Sequence, residues 1–391
     1  MTDLFRDHLA GIAAEAPQVD LADRAVHRAN RQRLTALAAA ATAVLALTAG
    51  GVTLTVLDPG ATQVMTSTIT DTLPPSGVTP LSHAYYDFCG EQWDPKTNTA
   101  TFDRTCAQWN VVTRDGAVYR MPEALGVYTE QSSENYMNTG APVAITPDGR
   151  RIAYYSEPAR RFVARDLDSG RIWPVSEEIT RAALVAGGTR LLFSPDGRHL
   201  AVSGALYEVE TGRRTDLPSG WFAESVPAGG SPLVVRDADD RIGLLADGQV
   251  RVLFKPEHWF MAGPLSEDGR TLTGLTGRVP TSRHLTEDGE VPYDTLVSID
   301  TETGRVTRSV KLRGTDARFS PMRIGAWASP TEITVAVPDH DFSDRRDPAD
   351  VKTPPLLGQH TYALDVTTGQ VRRLASHTYR AWAGDLASAG F

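Results

Sequence analysis

The sequence lacks the catalytic motifs that can be recognised from residue order. It has no G-x-S-x-G nucleophile turn, no H-E-x-x-H zinc site, no P-loop and no G-x-G-x-x-G dinucleotide fingerprint. Its nine histidines are scattered, and the aspartates after Pro338 do not have the spacing of a calcium-binding EF-hand loop. We therefore expect a protein that is not an enzyme and that has no cofactor and no metal site.

The chain also lacks an excess of positive charge. It has 39 basic and 48 acidic residues, and its first 33 residues contain five of each sign. The net charge of −9 therefore belongs to the remainder, which would repel phosphate backbones, so nucleic acid is excluded as a partner. Only four of the basic residues are lysines, a bias that suggests a GC-rich genome such as an actinobacterial one.

Long apolar runs are scarce, and one run is long enough to cross a membrane. Residues 34–57 contain no charge over 24 positions, and about 20 apolar residues span the hydrocarbon core. Three arginines precede the run (Arg28, Arg31 and Arg33), and Asp58 follows it. The positive-inside rule then predicts a single-pass cell-membrane protein with its N-terminus in the cytoplasm and its C-terminal domain outside. A cleaved signal peptide and a buried core helix are the alternatives.

Cysteine is equally scarce, with Cys89 and Cys106 and no CxxC pair. In an extracytoplasmic domain both would lie in an oxidising space, and they share one short, turn-rich segment. We predict a disulfide between them, with two buried thiols as the alternative.

What the sequence does contain is a repeated phrase. "ITPDGRRIAYYS" begins at Ile145 and "FSPDGRHLAVSG" at Phe193, with a weaker copy, "PLSEDGRTLTGLT", at Pro264. Each phrase has two β-prone runs around an Asp-Gly turn, which is typical of a hairpin. A second strand–turn–strand phrase follows, as in "DLDSGRIWPV" and "IDTETGRVTRSV". Two hairpins in series predict a four-stranded meander with strands a, b, c and d.

A meander that recurs every 40–50 residues or so is typical of a β-propeller, because one blade cannot bury its own apolar faces. The predicted blades cover residues 81–122, 141–176, 184–218, 221–255, 258–312 and 317–375. We thus expect an all-β protein with a single propeller of about six four-stranded blades, with five to seven open, over residues 81–391. It would follow a cytoplasmic segment over 1–33, a transmembrane helix over 34–57 and a linker over 58–80. The C-terminal tail or residues 61–70 would close the ring.

These phrases resemble the TolB-like and WD40-like propeller repeats, whose usual wording is "FSPDGxxIAF…DLxTGxxxxL". The resemblance extends from about Ala61 to the C-terminus and implies a fold without a particular activity. It departs from true WD40 proteins because the sequence has no Gly-His, and its only Trp-Asp pair, Trp93-Asp94, is not at a repeat position.

The strand order predicts where a partner would bind. The a–b and c–d turns share one face of the ring, the turn face, and the b–c and d–a connections share the other, the loop face. The long connections, residues 121–140, 276–295 and 338–360, all leave from the loop face. We predict a binding site there for an envelope protein or small ligand, with contacts from Tyr128, Tyr136, His284, His340, Asp341 and His360.

Three functions are open from the sequence. The leading interpretation is a non-enzymatic, membrane-anchored extracytoplasmic propeller that acts as a binding or scaffold module. The second is a one-span envelope sensor or anti-sigma-like regulator, because Phe5, Leu9 and Ile12 would share one face of a short helix that could dock a cytoplasmic regulator on residues 1–33. A plain cytoplasmic tag is the alternative for that segment. The third is a propeller hydrolase with a site assembled from scattered loops.

Overall fold

The computed structural model describes residues 71–87, 92–94, 99–101, 108–126, 141–181, 183–184, 189–257, 259–277, 293–315, 319, 321–340, 356–378 and 383–388. The chain divides between Asp58 and Pro59, and all of these residues belong to the second part. No helix within these ranges is long and apolar enough to cross a membrane, and the predicted span 34–57 lies outside them.

The regular secondary structure of the described residues consists almost entirely of strands. In chain order these are β1 Asp71–Thr72, β2 Leu81–Asp87, β3 Gln92–Asp94, β4 Thr99–Thr101, β5 Gln108–Thr113, β6 Val118–Arg120, β7 Ala144–Ile145, β8 Arg151–Ser156, β9 Arg161–Asp166, β10 Ile172–Pro174, β11 Leu191–Phe193, β12 His199–Val202, β13 Ala205–Glu208, β14 Arg214–Asp216, β15 Trp221–Ser225, β16 Leu233–Asp237, β17 Ile242–Ala246, β18 Gln249–Phe254, β19 Trp259–Leu265, β20 Thr271–Gly277, β21 Tyr293–Asp300, β22 Val306–Lys311, β23 Arg323–Ser329, β24 Glu332–His340, β25 Leu356–Asp365, β26 Val371–Thr378 and β27 Ala383–Ser388.

These strands form six blade sheets, numbered here as blades 1 to 6 in chain order, and one two-stranded sheet of β3 and β4. Blades 2 to 6 are antiparallel meanders that begin at β7, β11, β15, β19 and β23, and each has four strands in sequential order. The first strands contact one another from blade to blade, so they surround the centre of the ring. The prediction of an all-β propeller with six four-stranded blades is therefore confirmed.

Blade 1 is built from both ends of the described chain. Strands β2, β5 and β6 are its b, c and d strands, and the C-terminal β27 pairs antiparallel with β2 as its innermost strand. The prediction that the tail closes the ring is confirmed. The hairpin of β3 and β4 is inserted between β2 and β5, which makes residues 88–107 a fourth long connection on the loop face.

The segment before β2 differs from the expected linker over 58–80. From Asp71 onward it belongs to the propeller, because β1 pairs in parallel with β6 at the outer edge of blade 1. Leu73 and Val78 are buried, and the amide of Val78 donates to the carbonyl of Leu167 in blade 2. The Pro-rich composition suggested a spacer, whereas these two apolar side chains hold the segment against blades 1 and 2.

The a–b turns are fixed by a repeated set of side-chain hydrogen bonds. In blade 2 the Thr146 hydroxyl donates to the Asp148 carboxylate over 2.6 Å and accepts the amide of Arg151 over 3.0 Å. Ser194 and Ser266 make equivalent bonds in blades 3 and 5. The turn glycines that the repeat predicted to have positive φ all do, with values of 75°, 67°, 70° and 69° at Gly149, Gly197, Gly212 and Gly304.

Apolar side chains fill the spaces between neighbouring blades. The described residues form five buried clusters, one at each junction from blades 1 and 2 through blades 5 and 6. The junction of blades 1 and 2 includes Tyr86, Trp109 and Tyr154, and that of blades 5 and 6 includes Phe319 and Ile333. Since each blade is a thin sheet, burial against its neighbours is the main stabilising contribution to the ring.

Candidate functional site

A cavity of about 1140 Å³ lies at the centre of the ring and opens on the turn face. Its walls are the first strands of blades 2 to 6, and its rim is formed by their a–b turns. The largest share comes from residues 224–232 of blade 4, 263–269 of blade 5 and 324–330 of blade 6. Five successive repeats thus contribute the same structural element to one concave surface.

The side chains that line the wall of this cavity are mostly apolar and small. Six prolines line it, namely Pro147, Pro195, Pro227, Pro232, Pro264 and Pro330. Three carboxylates do so as well, Glu224, Glu267 and Asp268, and no lysine or arginine is among the described residues that line it. Each proline ring fixes its own backbone φ, so these six residues restrict the conformations open to the cavity wall.

The three carboxylates have different roles. Glu224 is nearly buried and accepts a hydrogen bond from Arg190 over 2.8 Å, with Arg236 3.4 Å away. Its charge is therefore compensated. Asp268 accepts bonds from the Ser266 hydroxyl and an adjacent backbone amide, which hold the pKa of its carboxyl below the ordinary value. Together with exposed Glu267, it keeps negative charge on the rim at neutral pH.

Trp327 forms part of the wall on the blade 6 side. Its indole Nε1 donates to the carbonyl oxygen of Leu265 over 2.7 Å, which joins blade 6 to blade 5 at the cavity. Trp327 serves in packing and lines the cavity, whereas Phe222 and Trp259 are about half exposed at the starts of β15 and β19.

None of the residues predicted to bind a partner is among the described residues that line this cavity. Tyr128, Tyr136, His284 and Asp341 lie outside the described residues, as do Cys89 and Cys106. His340 ends β24, and only its backbone is described. The predicted loop site therefore stays a prediction.

His360 was expected in a long loop and instead lies in a strand. It belongs to β25, where it pairs with Val337 of β24 and Ser376 of β26. Its Nδ1 is 3.0 Å from Ser376 Oγ, and its Nε2 is 3.5 Å from the Asp339 carboxylate. The connection 338–360 is thus shorter than expected, because β24 and β25 extend into it from both sides.

The cavity was missed in the sequence because its lining residues belong to short turns that have an evident structural role. An Asp-Gly turn predicts a hairpin, and nothing in a single repeat shows that five such turns meet at one axis. The repeat itself was the available signal, since strand order places all a–b turns on one face and all a strands at the centre.

The described residues give no sign of metal chemistry. No group of three or more His, Cys, Asp or Glu side chains among them has an arrangement that could hold a metal ion. What the arrangement offers is a rigid concave surface with negative charge at its rim.

Comparisons with known proteins give the following results. No family model matches the sequence, and no curated protein matches it. Among solved structures, a TolB protein from Agrobacterium tumefaciens is 15% identical with a TM-score of 0.43, over 77% of this chain and 91% of that chain. TolB from Acinetobacter baumannii is also 15% identical, with a TM-score of 0.41, over 79% of this chain and 66% of that chain. A chain of a nidogen/laminin complex is 10% identical, with a TM-score of 0.40, over 79% of this chain and 98% of that chain. The propeller assignment rests on the sheet topology of this chain rather than on these likenesses.

Proposed function

We propose that this propeller is a non-enzymatic binding module whose ligand occupies the central cavity on the turn face. The observation that carries the proposal is the cavity of about 1140 Å³, to which blades 2 to 6 all contribute. Pockets that bind ligands usually measure about 300–1,000 Å³ and combine an apolar lining with a few polar groups, as this one does. A cavity somewhat larger than that range suits a segment of a partner protein or a large small-molecule ligand.

The charge of the rim indicates the chemistry of the ligand. Glu267 and Asp268 project negative charge at the mouth, and the chain as a whole has a net charge of −9. A carboxylate-lined cleft raises the local concentration of cations and repels anions. We therefore infer a ligand with a cationic group near blade 5 and an apolar body against the prolines.

We further propose that the module is tethered to the outer face of a cell membrane. The support is in the sequence. Residues 34–57 form an uncharged run that is closely preceded by Arg28, Arg31 and Arg33, and the next basic residue after it is Lys96. A fluorescent protein that matures only in the cytoplasm, fused after Phe391, should stay dark in intact cells. Bright fluorescence would contradict this topology, and recovery of a regulator on residues 1–33 alone would favour the signalling alternative.

A second candidate site is the loop face. Strands β24 and β25 have nine and ten residues, against six in β8 and β9 of blade 2, so they project as an arm on that face. Three exposed apolar side chains, Phe222, Trp259 and Met322, also lie there, at the starts of the central strands of blades 4 to 6. A partner bound here would contact the residues predicted from sequence, among them His340 and His360.

Closing the cavity mouth with a bulky side chain tests the principal proposal. Ala228 is an exposed residue of the blade 4 rim, so Ala228→Trp should narrow the mouth without disturbing the core. Ala246 is the matched control, because it is exposed at the end of the c strand, β17, of the same blade and does not line the cavity. Peptides would be selected on the wild-type protein from a displayed random library, and their affinities measured by fluorescence anisotropy.

We expect the selected peptides to be basic, to lose at least tenfold in affinity on Ala228→Trp and to bind Ala246→Trp normally. Glu267→Gln should lower the affinity of these peptides several-fold, because it removes one exposed negative charge. If the peptides bind all variants equally, their binding site is not in the cavity. Selection of acidic peptides would contradict the inferred ligand chemistry.

A further inference from the structure

The outer strands of blades 4 to 6 are basic, although the chain as a whole is acidic. Strands β18, β22 and β26 contain five arginines or lysines and no aspartate or glutamate. The outer strands of blades 2 and 3 differ, since β10 has no charged residue and β14 has one of each sign. Lys255 follows β18 directly, and Arg305 and Arg313 flank β22. We call the eight basic residues the basic edge: Arg251, Lys255, Arg305, Arg308, Lys311, Arg313, Arg372 and Arg373.

Most charges of the basic edge have no carboxylate partner. Among the described residues only two of the eight are ion-paired, Lys311 with Asp294 and Arg372 with Glu332. Arg308, in the middle of β22, is exposed, and its guanidinium makes no hydrogen bond or ion pair to any described residue. Six positive charges are therefore available to a partner.

The acidic residues of these blades are placed elsewhere. Those near the ends of the outer strands are in connections or at the ends of inner strands: Asp247, Glu257, Asp300, Glu302 and Asp365. All of them except Glu257 are at the c–d turns, on the turn face. The carboxylates of Asp300 and Asp365 accept the hydroxyls of Thr303 and Thr367 within their own turns, over 2.7 and 2.6 Å. Since salt screens charges beyond about 8–10 Å, the net charge of the whole chain does not cancel the basic edge.

Each of the three outer strands also has one exposed aliphatic side chain. Val252 is 46% exposed, Val306 58% and Leu374 36%. Each is next to an arginine of the basic edge in the sequence. Cations combined with exposed aliphatic groups fit the headgroup region of an anionic bilayer, because lipid phosphates pair with the cations and the aliphatic groups enter the acyl boundary. A soluble phosphate polymer would pair with the cations and leave the aliphatic groups in water.

Contacts between blades join the three strands into one surface. Arg251 Nη1 of blade 4 donates to the carbonyl oxygen of Glu302 in blade 5 over 2.9 Å. Arg313 of blade 5 forms a parallel bridge with Gln370 of blade 6. This surface follows the outer circumference of the ring and is convex, which is the shape that meets a flat surface and does not enclose a ligand.

We propose that the basic edge lies against an anionic membrane surface, so that the ring stands on its outer edge. The inference rests on the membrane tether of the proposed function and is independent of the cavity. Strand β1, at which the tethered segment would enter the ring, is also an outer strand, in blade 1 beside blade 6. Contact through the outer edge keeps the acidic rim away from lipid phosphates, which would repel it, and leaves the cavity mouth open.

Photo-crosslinking of the full-length protein in lipid nanodiscs tests this contact. A photoreactive side chain would replace Val306 in one protein and Ile172, which is 46% exposed on β10 of blade 2, in the control. The discs contain phosphatidylcholine alone or mixed with anionic phosphatidylglycerol, and mass spectrometry measures the lipid adducts. We expect position 306 to give about five times more lipid adduct, or a larger excess, when phosphatidylglycerol is present. Position 172 should give little in either disc.

Charge variants show whether the arginines are responsible. Arg308→Glu should lower the lipid adduct at position 306 by a factor of about five or more in anionic discs, because each basic residue near an anionic surface contributes about that factor. Arg308→Lys should keep the adduct. Arg213→Glu is the control, since Arg213 directly precedes the outer strand of blade 3 and its side chain is 74% exposed. It should leave the adduct at position 306 unchanged.

Several results would overturn the proposal. Equal yields at positions 306 and 172 would show that the tether alone brings the ring to lipid, and a yield independent of phosphatidylglycerol would remove the electrostatic basis. A protein adduct at position 306 in the native cell, in place of lipid, would assign the basic edge to a protein partner.

Loss of the protein from the discs would refute the tether, and the free full-length protein then decides on the basic edge. It should co-sediment with phosphatidylglycerol vesicles, not with phosphatidylcholine vesicles, and Arg308→Glu should co-sediment less. Absence of co-sedimentation would overturn the proposal. The cavity is tested separately by the peptides and Ala228→Trp.

Discussion

At the scale of single residues, the glycines of the T-G turns do more than allow a tight turn. Gly304 in blade 5 has a φ of 69°, and a Cβ there would overlap the carbonyl oxygen of Leu253 in the outer strand of blade 4. Gly369 in blade 6 is placed in the same way against Lys311 of blade 5. The same glycine thus satisfies its own turn and lets the neighbouring blade approach.

A pair of substitutions separates these two requirements. Gly212 has a φ of 70° in blade 3, but a Cβ there would meet Pro174 at an ordinary distance of 3.7 Å. Gly212→Ala should therefore lower the free energy of unfolding by only about 1–2 kcal/mol, the cost of a positive φ. Gly304→Ala should cost a further 1–3 kcal/mol or so, because two blades must also separate. Urea unfolding measures both, and equal losses would show that the contact with Leu253 contributes nothing.

The turn glycines were predictable from sequence because one chemical requirement recurs at every repeat. The contact of Gly304 with the preceding blade was not, since no feature of "ETGR" specifies which backbone lies above it.

At the scale of elements, the pairing of β2 with β5 gives the cysteine prediction a physical basis. Tyr86 pairs with Trp109, and Asp87, the last residue of β2, pairs with Gln108, the first of β5. If this antiparallel register continues by two residues, Cys89 stands opposite Cys106. Directly opposed residues have Cα atoms about 4.5–5.5 Å apart, within the range that a disulfide requires.

We expect a disulfide between Cys89 and Cys106 if the domain lies in an oxidising extracytoplasmic space, as we propose. Intact mass spectrometry after alkylation should show no modified thiol before reduction and two after it. Because the bridge closes a short loop, Cys89→Ser should lower the free energy of unfolding by about 2–4 kcal/mol. Two alkylated thiols without reduction would refute the bridge. As a control, the reduced wild type and Cys89→Ser both lack the bridge and should unfold with the same free energy. If Cys89→Ser is less stable than the reduced wild type by the same amount, about 2–4 kcal/mol, the bridge is not the cause of the loss.

The strand boundaries agree with the sequence prediction in blade 4 and differ from it in blade 6. The blade predicted over residues 221–255 is present, and its four strands are β15 to β18. Residues 338–340 of β24 and 356–360 of β25 were predicted as part of a long connection, and Pro338, Asp339 and Gly358 among them have low strand propensity. Pairing with β26 outweighs that propensity, since a third strand satisfies the backbone hydrogen bonds of β25.

At the scale of the whole molecule, the two faces of the ring have different chemistry. The turn face has the proline-lined cavity with its acidic rim, and the loop face has the arm and the exposed Phe222 and Trp259. Sequence reasoning favoured the loop face because its connections are long. The structure places a concave site on the other, because short turns from five blades converge at the axis.

The central claim is that the ligand binds in the cavity on the turn face, and site-specific photo-crosslinking in the native cell tests it most directly. A photoreactive side chain would replace Ala228 on the turn face in one protein and Met322, which is 63% exposed on the loop face, in another. Ala246 on the turn face, outside the cavity, serves as the control position. Intact mass spectrometry would then report any added mass, from a small molecule to a protein. We predict a discrete adduct from position 228 that is absent from positions 246 and 322, whereas an adduct from position 322 without one from position 228 would contradict the account.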